Sequence, residues 1–248
     1  MITIKSKREL ELMRTAGRVV AEVLQILEQA IRPGITTAEL DKIAERHIRK
    51  AKCQPAFLGY HGFPASICTS INEEVVHGIP SLRRLQAGDI ISIDVGAVYK
   101  GYYGDAAMTF PVGEIDPEAR RLIEVTQQSL AAGIAQAVPG NRLSDISHAV
   151  QTYVEGHGFS VVRNYVGHGI GNNMHEEPQV PNFGKPGRGP RLEPGMTLAV
   201  EPMVNAGTWQ VETLQDNWTV VTLDRKWSAH FEHTIAITEG TPMILTAL

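Results

Sequence analysis

The stretch LQAGDIISIDVGA (85–97) reappears as LEPGMTLAVEPMV (192–204) at an offset of 107 residues, pairing Leu85 with Leu192, Gly88 with Gly195 and Asp94 with Glu201. Within the first copy, Ile91, Ile93 and Val95 alternate onto one face of a strand, so Asp94 shares the opposite face with Ser92 and Gly96. Upstream of each copy lie two helical runs. Ser6 and Glu9 form a capping box ahead of ELELMRTAGRVVAEVLQILEQAI, which Pro33-Gly34 stops. Thr36 and Glu39 repeat the box, and Leu40, Ile43, Ala44 and Ile48 give a second helix an apolar face to about Lys50. Asp116-Pro117 opens a third helix that ends at Pro139-Gly140, and Ile146, Ala149, Val150 and Val154 mark a fourth. At an offset of 106, Pro33-Gly34 falls on Pro139-Gly140, Glu39 on Asp145, Leu40 on Ile146 and Ile48 on Val154.

A looser match sets GDAAMTFPVG (104–113) against FEHTIAITEG (231–240), pairing Asp105 with Glu232 and leaving the second half 20 residues longer before this point. Recurrent capping and turn chemistry could produce chance matches between helices. It does not make acidic residues coincide within β-branched strands. Each half therefore reads helix, helix, antiparallel strands, which predicts an α+β protein with pseudo-twofold symmetry and one shared sheet. The halves, about 6–113 and 116–240, are expected to form a single domain over 1–248, because either sheet alone would keep an open edge.

The composition suits a packed core: 248 residues, 43% hydrophobic and 20% charged, which excludes collagen, coiled coil and disorder. Lys plus Arg is 23 and Asp plus Glu is 27, and the resulting net charge of −4 does not favour a nucleic-acid groove. Cys53 and Cys68 form no Cys-x-x-Cys pair, which disfavours a disulfide framework and a thiolate metal cage and suggests a reducing, cytoplasmic compartment. MITIKSKREL meets charge by Lys5, so no signal peptide is expected, and no apolar segment reaches membrane-spanning length.

Asp94, Asp105, Glu201 and Glu232 each fall within or beside a predicted strand, where acidic residues are depleted. One such residue is an ordinary exposed carboxylate. Four brought together repel and are costly to desolvate unless protons or cations neutralise them, which points to metal ions. A nitrogen ligand is offered by YVGHGIGNNMHEEPQVPNFGKPGRGPRLEPG (165–195), where Gly167 and Gly169 flank His168 and would let the backbone approach a ligand closely. His175 follows at a spacing unlike His-Glu-x-x-His, and the echo of a dinucleotide fingerprint fails at Met174, with no capped helix after it. Either histidine alone reads equally as a hydrogen-bonding loop residue. VVHGIP (75–80) adds His77, whose plain reading is a turn residue beside a hydrophobic edge.

IDVGAVYKGYYGDAAMTF, YVGHGIGNNMHEEPQV, AVEPMVNAG and FEHTIAIT resemble, in order, the successive motifs of the type I methionine aminopeptidases, and the resemblance runs from Ile4 to the C-terminus. It implies the pita-bread fold, a pseudo-twofold arrangement of helices around a curved antiparallel sheet. The short spacing between His168 and Glu201 matches the first type rather than the second, which carries a helical insertion there. The resemblance further implies that Asp94, Asp105, His168, Glu201 and Glu232 hold two divalent ions, with Asp105 and Glu232 bridging; the donor set does not choose among Co, Mn, Fe(II) and Zn. The reaction it implies is attack of an activated water on the carbonyl of residue one. In it Glu201 moves the proton, His175 stabilises the tetrahedral intermediate and His77 contacts the peptide from the opposite side.

By the same resemblance, Tyr60, Phe63, Cys68, Met174 and Trp218 line a methionine pocket, against the plain alternative of core or surface aromatics. The sequence departs from the common pattern at Phe57, where many relatives have Cys, at Phe63 for Tyr and at Met174 for Phe. Asn72 and Ser228 match positions that hold a monovalent cation through backbone oxygens. The implied substrate is the nascent chain, whose initiator methionine is removed when the second residue is small. A monomer is implied, acting beside the ribosome; Lys5, Lys7 and Arg8 read either as a ribosome contact or as solvated helix ends. Two alternatives share the fold. X-Pro aminopeptidases and prolidases usually carry a further N-terminal domain, for which 248 residues leave no room, and a non-catalytic peptide-binding module would have lost ligands that are present here.

Overall fold

The computed structural model describes residues 1–248. Helix α1 (Lys7–Ala30) begins where Ser6 Oγ accepts the Glu9 N–H and the Glu9 carboxylate accepts the Ser6 N–H at 2.7 Å. Thr36 and Glu39 build the same reciprocal cap on α2 (Thr37–Lys50). Strands β1 (Gln54–Pro55), β2 (Ile67–Ile71), β3 (Glu74–Val76), β4 (Ile90–Tyr99) and β5 (Tyr102–Pro111) complete the first half. The second half opens with α3 (Pro117–Ala135), capped by Asp116, and α4 (Leu143–Gly156). It continues through β6 (Ser160–Val161), β7 (Gly167–Gly169), β8 (Glu176–Val180), β9 (Thr197–Val200), β10 (Met203–Asn205), β11 (Val211–Thr213), β12 (Val220–Thr222), β13 (Ser228–His230), β14 (His233–Ala236) and β15 (Met243–Ile244).

The repeat read from the sequence is physical. β4 and β5 form an antiparallel hairpin in which Asp94 opposes Ala107 and Gly96 opposes Asp105. β9 and β14 pair antiparallel in the corresponding way, with Val200 opposite His233. The expectation of one shared sheet needs correction, because the strands divide among four sheets. β4 carries β5 on one edge and β1 and β2 on the other, and a second sheet runs β15-β14-β9-β7-β8. The two principal sheets meet at a seam. Glu232 N–H donates to Ala107 O at 2.9 Å, and the Ala107 N–H returns the bond at 3.4 Å. Beside it, Thr234 Oγ1 accepts the Asp105 N–H at 3.0 Å and donates to Asp105 O at 2.7 Å. The extra length of the second half supplies β11 to β13, which combine with β10, β6 and β3 into two three-stranded sheets. A constant offset identifies equivalent strands, but not where the ladder between them is interrupted.

Each helix pair covers its own half. Val20, Val23, Leu27, Leu40 and Ile48 pack on the face formed by Ile91, Ile93 and Val95, all of them buried. Leu130, Ile134 and Ile146 pack on Leu198, Val200 and Ile235. Full burial of one such side chain stabilises by about 1.5–3 kcal/mol. α1 crosses β5 so closely that a Cβ on Gly104 would lie 2.6 Å from the Gly17 nitrogen. With helices closing one face of the sheets, the carboxylates of the other face turn towards the interior of the molecule. No helix is long and apolar enough to cross a membrane.

Candidate active site

Five sequence-predicted ligands meet at the seam. Asp94 comes from β4, Asp105 from β5 and His168 from β7, while Glu201 and Glu232 sit at the C-terminal end of β9 and the N-terminal end of β14. Ligand atoms of Asp105, His168 and Glu232, all buried, lie within 4.8 Å of one another. Glu201 Oε1 stands 3.5 Å from His168 Nε2. All five side chains line one cavity of about 260 Å³.

Their environment leaves the charges uncompensated by protein. Burial pushes Asp94 up to about 7. Asp105 is raised well above the usual carboxylate range by burial and then by the charges of Asp94 and Glu201. Glu201 is raised by burial and by Asp94, and Glu232 by burial and by Asp105, Glu201 and Asp94. Asp94 Oδ1, Asp105 Oδ1 and Glu232 Oε1 are buried with no hydrogen-bond partner. Buried polar atoms are ordinarily satisfied. Three orphaned carboxylate oxygens in one cavity, with an imidazole beside them, form an oxygen-rich donor set that fits divalent cations.

His168 is prepared as a neutral ligand. Its Nδ1 lies 2.9 Å from Gly169 O, so this nitrogen carries the proton and Nε2 presents its lone pair towards the carboxylates. Burial, followed by the neighbouring His175, lowers it to about 4. The flanking glycines serve a purpose other than close approach to a ligand. A Cβ at Gly167 would stand 2.3 Å from Ala199 O and one at Gly169 2.2 Å from Glu177 O, so glycine is needed to thread β7 between β9 and β8.

His175 lies beside this centre, its ring tilted 49° against that of His168 with the centroids 4.3 Å apart, and its Nδ1 lies 2.7 Å from Tyr60 Oη. His77 stands in the turn after β3 with φ 62, a left-handed conformation that costs a non-glycine residue on the order of 1–3 kcal/mol. Its ring meets Tyr165 and Trp218 edge-on at 5.6 and 6.4 Å. Burial lowers it to about 4. Phe63, Cys68 and Met174 are buried in one apolar cluster with Phe57, and Tyr60 and Trp218 pack against it. These side chains form a small core whose open side is the wall of the cavity.

Every catalytic and pocket residue expected from the sequence lines this cavity. Asn72 and Ser228 are also brought together, the Ser228 N–H donating to Asn72 O at 2.8 Å. Of the three basic residues read as a ribosome contact or as solvated helix ends, Lys5 fits neither, being buried and ion-paired with Glu176, whereas Lys7 and Arg8 are exposed. Sequence reasoning missed His61, Tyr165 and Met203 on the cavity wall, and His230, whose buried Nε2 has no partner and lies 4.0 Å from Glu201 Oε2. For His230 a signal existed, since it precedes Glu232 by two residues and so points to the same side of an extended segment.

Residues 11–239 match the model of metallopeptidase family M24. The chain is 61% identical to methionine aminopeptidase 1 of Bacillus subtilis over 99% of both chains. It superposes on the methionine aminopeptidase of Thermotoga maritima with a TM-score of 0.99, at 48% identity and full coverage of both. The prolidase of Pyrococcus furiosus shares the fold at a TM-score of 0.79 and 22% identity, with 65% of that chain covered. The fold is the pita-bread fold common to these proteins.

Proposed function

The chain belongs to metallopeptidase family M24 and, within it, to the methionine aminopeptidases, and from that premise we propose how its residues remove an N-terminal methionine. The observation that carries the reading is the conjunction, in one cavity, of orphaned buried carboxylate oxygens and a soft apolar wall. Asp94, Asp105, His168, Glu201 and Glu232 would hold two divalent ions. Four carboxylates oppose four positive charges, and Co, Mn, Fe(II) and Zn all suit the donors. When bound, such ions supply Lewis acidity and a water that ionises near neutrality.

The side chains divide the remaining work. Phe57, Phe63, Cys68, Met174 and Trp218 exclude water from the methionine side chain, whose flexible thioether suits a polarisable lining. Glu201 takes the proton of the attacking water on a carboxylate oxygen and delivers it to the amide nitrogen that leaves. With Nδ1 accepting from the Tyr60 hydroxyl, His175 keeps its proton on Nε2 and donates it as a hydrogen bond to the oxyanion that develops at the carbonyl. His77, fixed in its turn between Tyr165 and Trp218, contacts the peptide from the other side. Restriction to chains whose second residue is small belongs to the same proposal and rests on the likeness to the methionine aminopeptidases.

The same proposal places the protein in the cytoplasm as a monomer acting on nascent chains, supported by two unpaired cysteines, with Lys7 and Arg8 available towards the ribosome. It includes a monovalent cation at backbone oxygens near Asn72 and Ser228, supported by the proximity of the two residues. Cleavage of Met-Ala-Ser against an X-Pro dipeptide, with elemental analysis of the purified protein, tests the reading. Release of methionine by metal-loaded protein is expected; an inactive, metal-free, folded chain would overturn it.

A further inference from the structure

Lys5 is 8% exposed, a degree of burial that lysine reaches almost only when paired. Its Nζ donates to Glu176 Oε2 at 2.6 Å and to Thr3 Oγ1, and Thr3 Oγ1 donates to the same Glu176 oxygen at 2.8 Å. The other oxygen, Oε1, accepts the Asn173 N–H at 3.1 Å, and the Gly171 N–H donates to Asn173 O at 3.0 Å. The loop is therefore folded around one carboxylate.

Lys5 reaches it from a fixed base, because its own N–H donates to Gly195 O at 2.8 Å in the turn before β9. The packing leaves no slack. A Cβ on Gly171 would lie 2.3 Å from Lys5 Cε and 2.7 Å from Glu176 Oε1. Burial alone would push the Glu176 carboxyl up, but hydrogen bonds from Lys5, Thr3 and the Asn173 amide together hold it below its ordinary range. Between the anchored glycine and the anchored glutamate lie Met174 and His175, both on the cavity wall.

We propose that Lys5 is a positioning residue for hydrolysis: by pairing with Glu176 from outside the cavity, it sets the loop 171–176 and hence the places of Met174 and His175. The inference rests on the roles proposed above for those two side chains. Removing one member of a buried pair leaves the other charge without compensation, and the loop must then rearrange to hydrate it. Since a misplacement of about 1 Å costs up to about 100-fold in rate, the effect falls on catalysis as well as on stability.

The experiment compares Lys5→Met, Lys5→Arg and the double variant Lys5→Met with Glu176→Gln in the full chain. Three quantities are read: kcat and KM on Met-Ala-Ser, Mn²⁺ affinity by calorimetry, and the ¹⁵N resonances of the His175 ring. Lys5→Met is expected to lower kcat about tenfold or more, raise KM several-fold and move the His175 resonances, with Mn²⁺ affinity within about twofold. The arginine variant should recover part of kcat. The double variant should fold better than Lys5→Met while keeping its kinetic defect. If Lys5→Met does not fold, Thr3→Val, which removes one partner of Glu176, should still move the His175 resonances. Unchanged resonances and kinetics in the folded variants would overturn the proposal. Because the resonances are read without turnover, they test Lys5 even if the wild-type protein fails to cleave methionyl peptides.

Discussion

Tyr60 Oη lies 2.7 Å from Nδ1 of His175, joining the apolar wall of the cavity to the imidazole beside the carboxylate centre. Burial, followed by Tyr103 and Asp105, raises the phenol's pKa, so the hydroxyl keeps its proton and can donate it. Partial desolvation and the nearby His61 lower His175, so that ring is neutral and one nitrogen must accept.

Tyr60→Phe removes that donor and keeps the ring. One net hydrogen bond is worth about 1 kcal/mol, so kcat on a methionyl peptide should fall roughly fivefold to tenfold, with a smaller change in KM. Metal affinity should not change. Steady-state kinetics beside a Mn²⁺ titration separates these effects, and an unchanged kcat would remove Tyr60 from the argument about His175.

Asp105 accepts no side-chain hydrogen bond at its buried Oδ1 and stands within ligand reach of His168 and Glu232. Asp105→Asn preserves the shape and deletes the charge. Tight metal loading and turnover should disappear together, measured by elemental analysis and peptide hydrolysis on the same preparation. Normal hydrolysis by metal-poor Asp105→Asn protein would sink the two-ion proposal.

In metal-free protein, Asp94 supplies a titration signature. Its folded pKa of about 7 exceeds the ordinary 3.8, so between these values the folded state binds more protons than the unfolded state, and stability falls as pH rises. Asp94→Asn removes this loss. Buried His77, His168, His230 and His233, held at about 4, 4, 3 and 4, act in the opposite sense below their unfolded pKa, but equally in both proteins. The difference between variant and wild type therefore reports Asp94 together with its share in raising Asp105, Glu201 and Glu232, which acts in the same direction. It should be near zero at pH 4 and grow in favour of the variant through pH 7, to about 2–4 kcal/mol. Urea unfolding across pH in the presence of chelator measures it; a pH-independent difference would contradict the burial of Asp94.

How far the sequence could be read follows from which forces are local. Capping boxes at Ser6 and Thr36, the Asp116 cap and the alternation through Ile91, Ile93 and Val95 are set by neighbours within a few residues, and all appear in the structure as expected. The cluster of four carboxylates was legible because acidic residues recur at strand positions where burial alone would exclude them. The division into four sheets and the roles of Gly167 and Gly169 were not legible, since both depend on which strand arrives alongside. Lys5 shows the same limit. Beside Lys7 and Arg8 it reads as one of a row of solvated charges, and only a partner 171 residues away makes it a buried ion.

Gly17 tests how tightly the scaffold is tied to the seam that carries the carboxylates. Within a helix, Gly→Ala normally stabilises by up to about 1 kcal/mol. Here a Cβ would stand 2.2 Å from Leu245 O and 2.7 Å from its carbon, both backbone atoms that cannot swing aside. Leu245 N–H donates to Thr234 O at 2.8 Å, and Thr246 Oγ1 accepts from the Thr234 N–H at 3.2 Å. Thr234 Oγ1 in turn holds both backbone groups of Asp105. Displacing residues 245–246 therefore shifts a strand that bonds directly to a proposed ligand. Gly17→Ala should lose about 1–3 kcal/mol rather than gain, a fall of roughly 2–4 °C in Tm for each kcal/mol, and its Mn²⁺ affinity should weaken as well. Thermal unfolding with and without Mn²⁺ measures both effects. A stabilised variant would mean that α1 does not approach the C-terminal segment this closely, while lost stability with unchanged metal affinity would cut the link between that segment and Asp105.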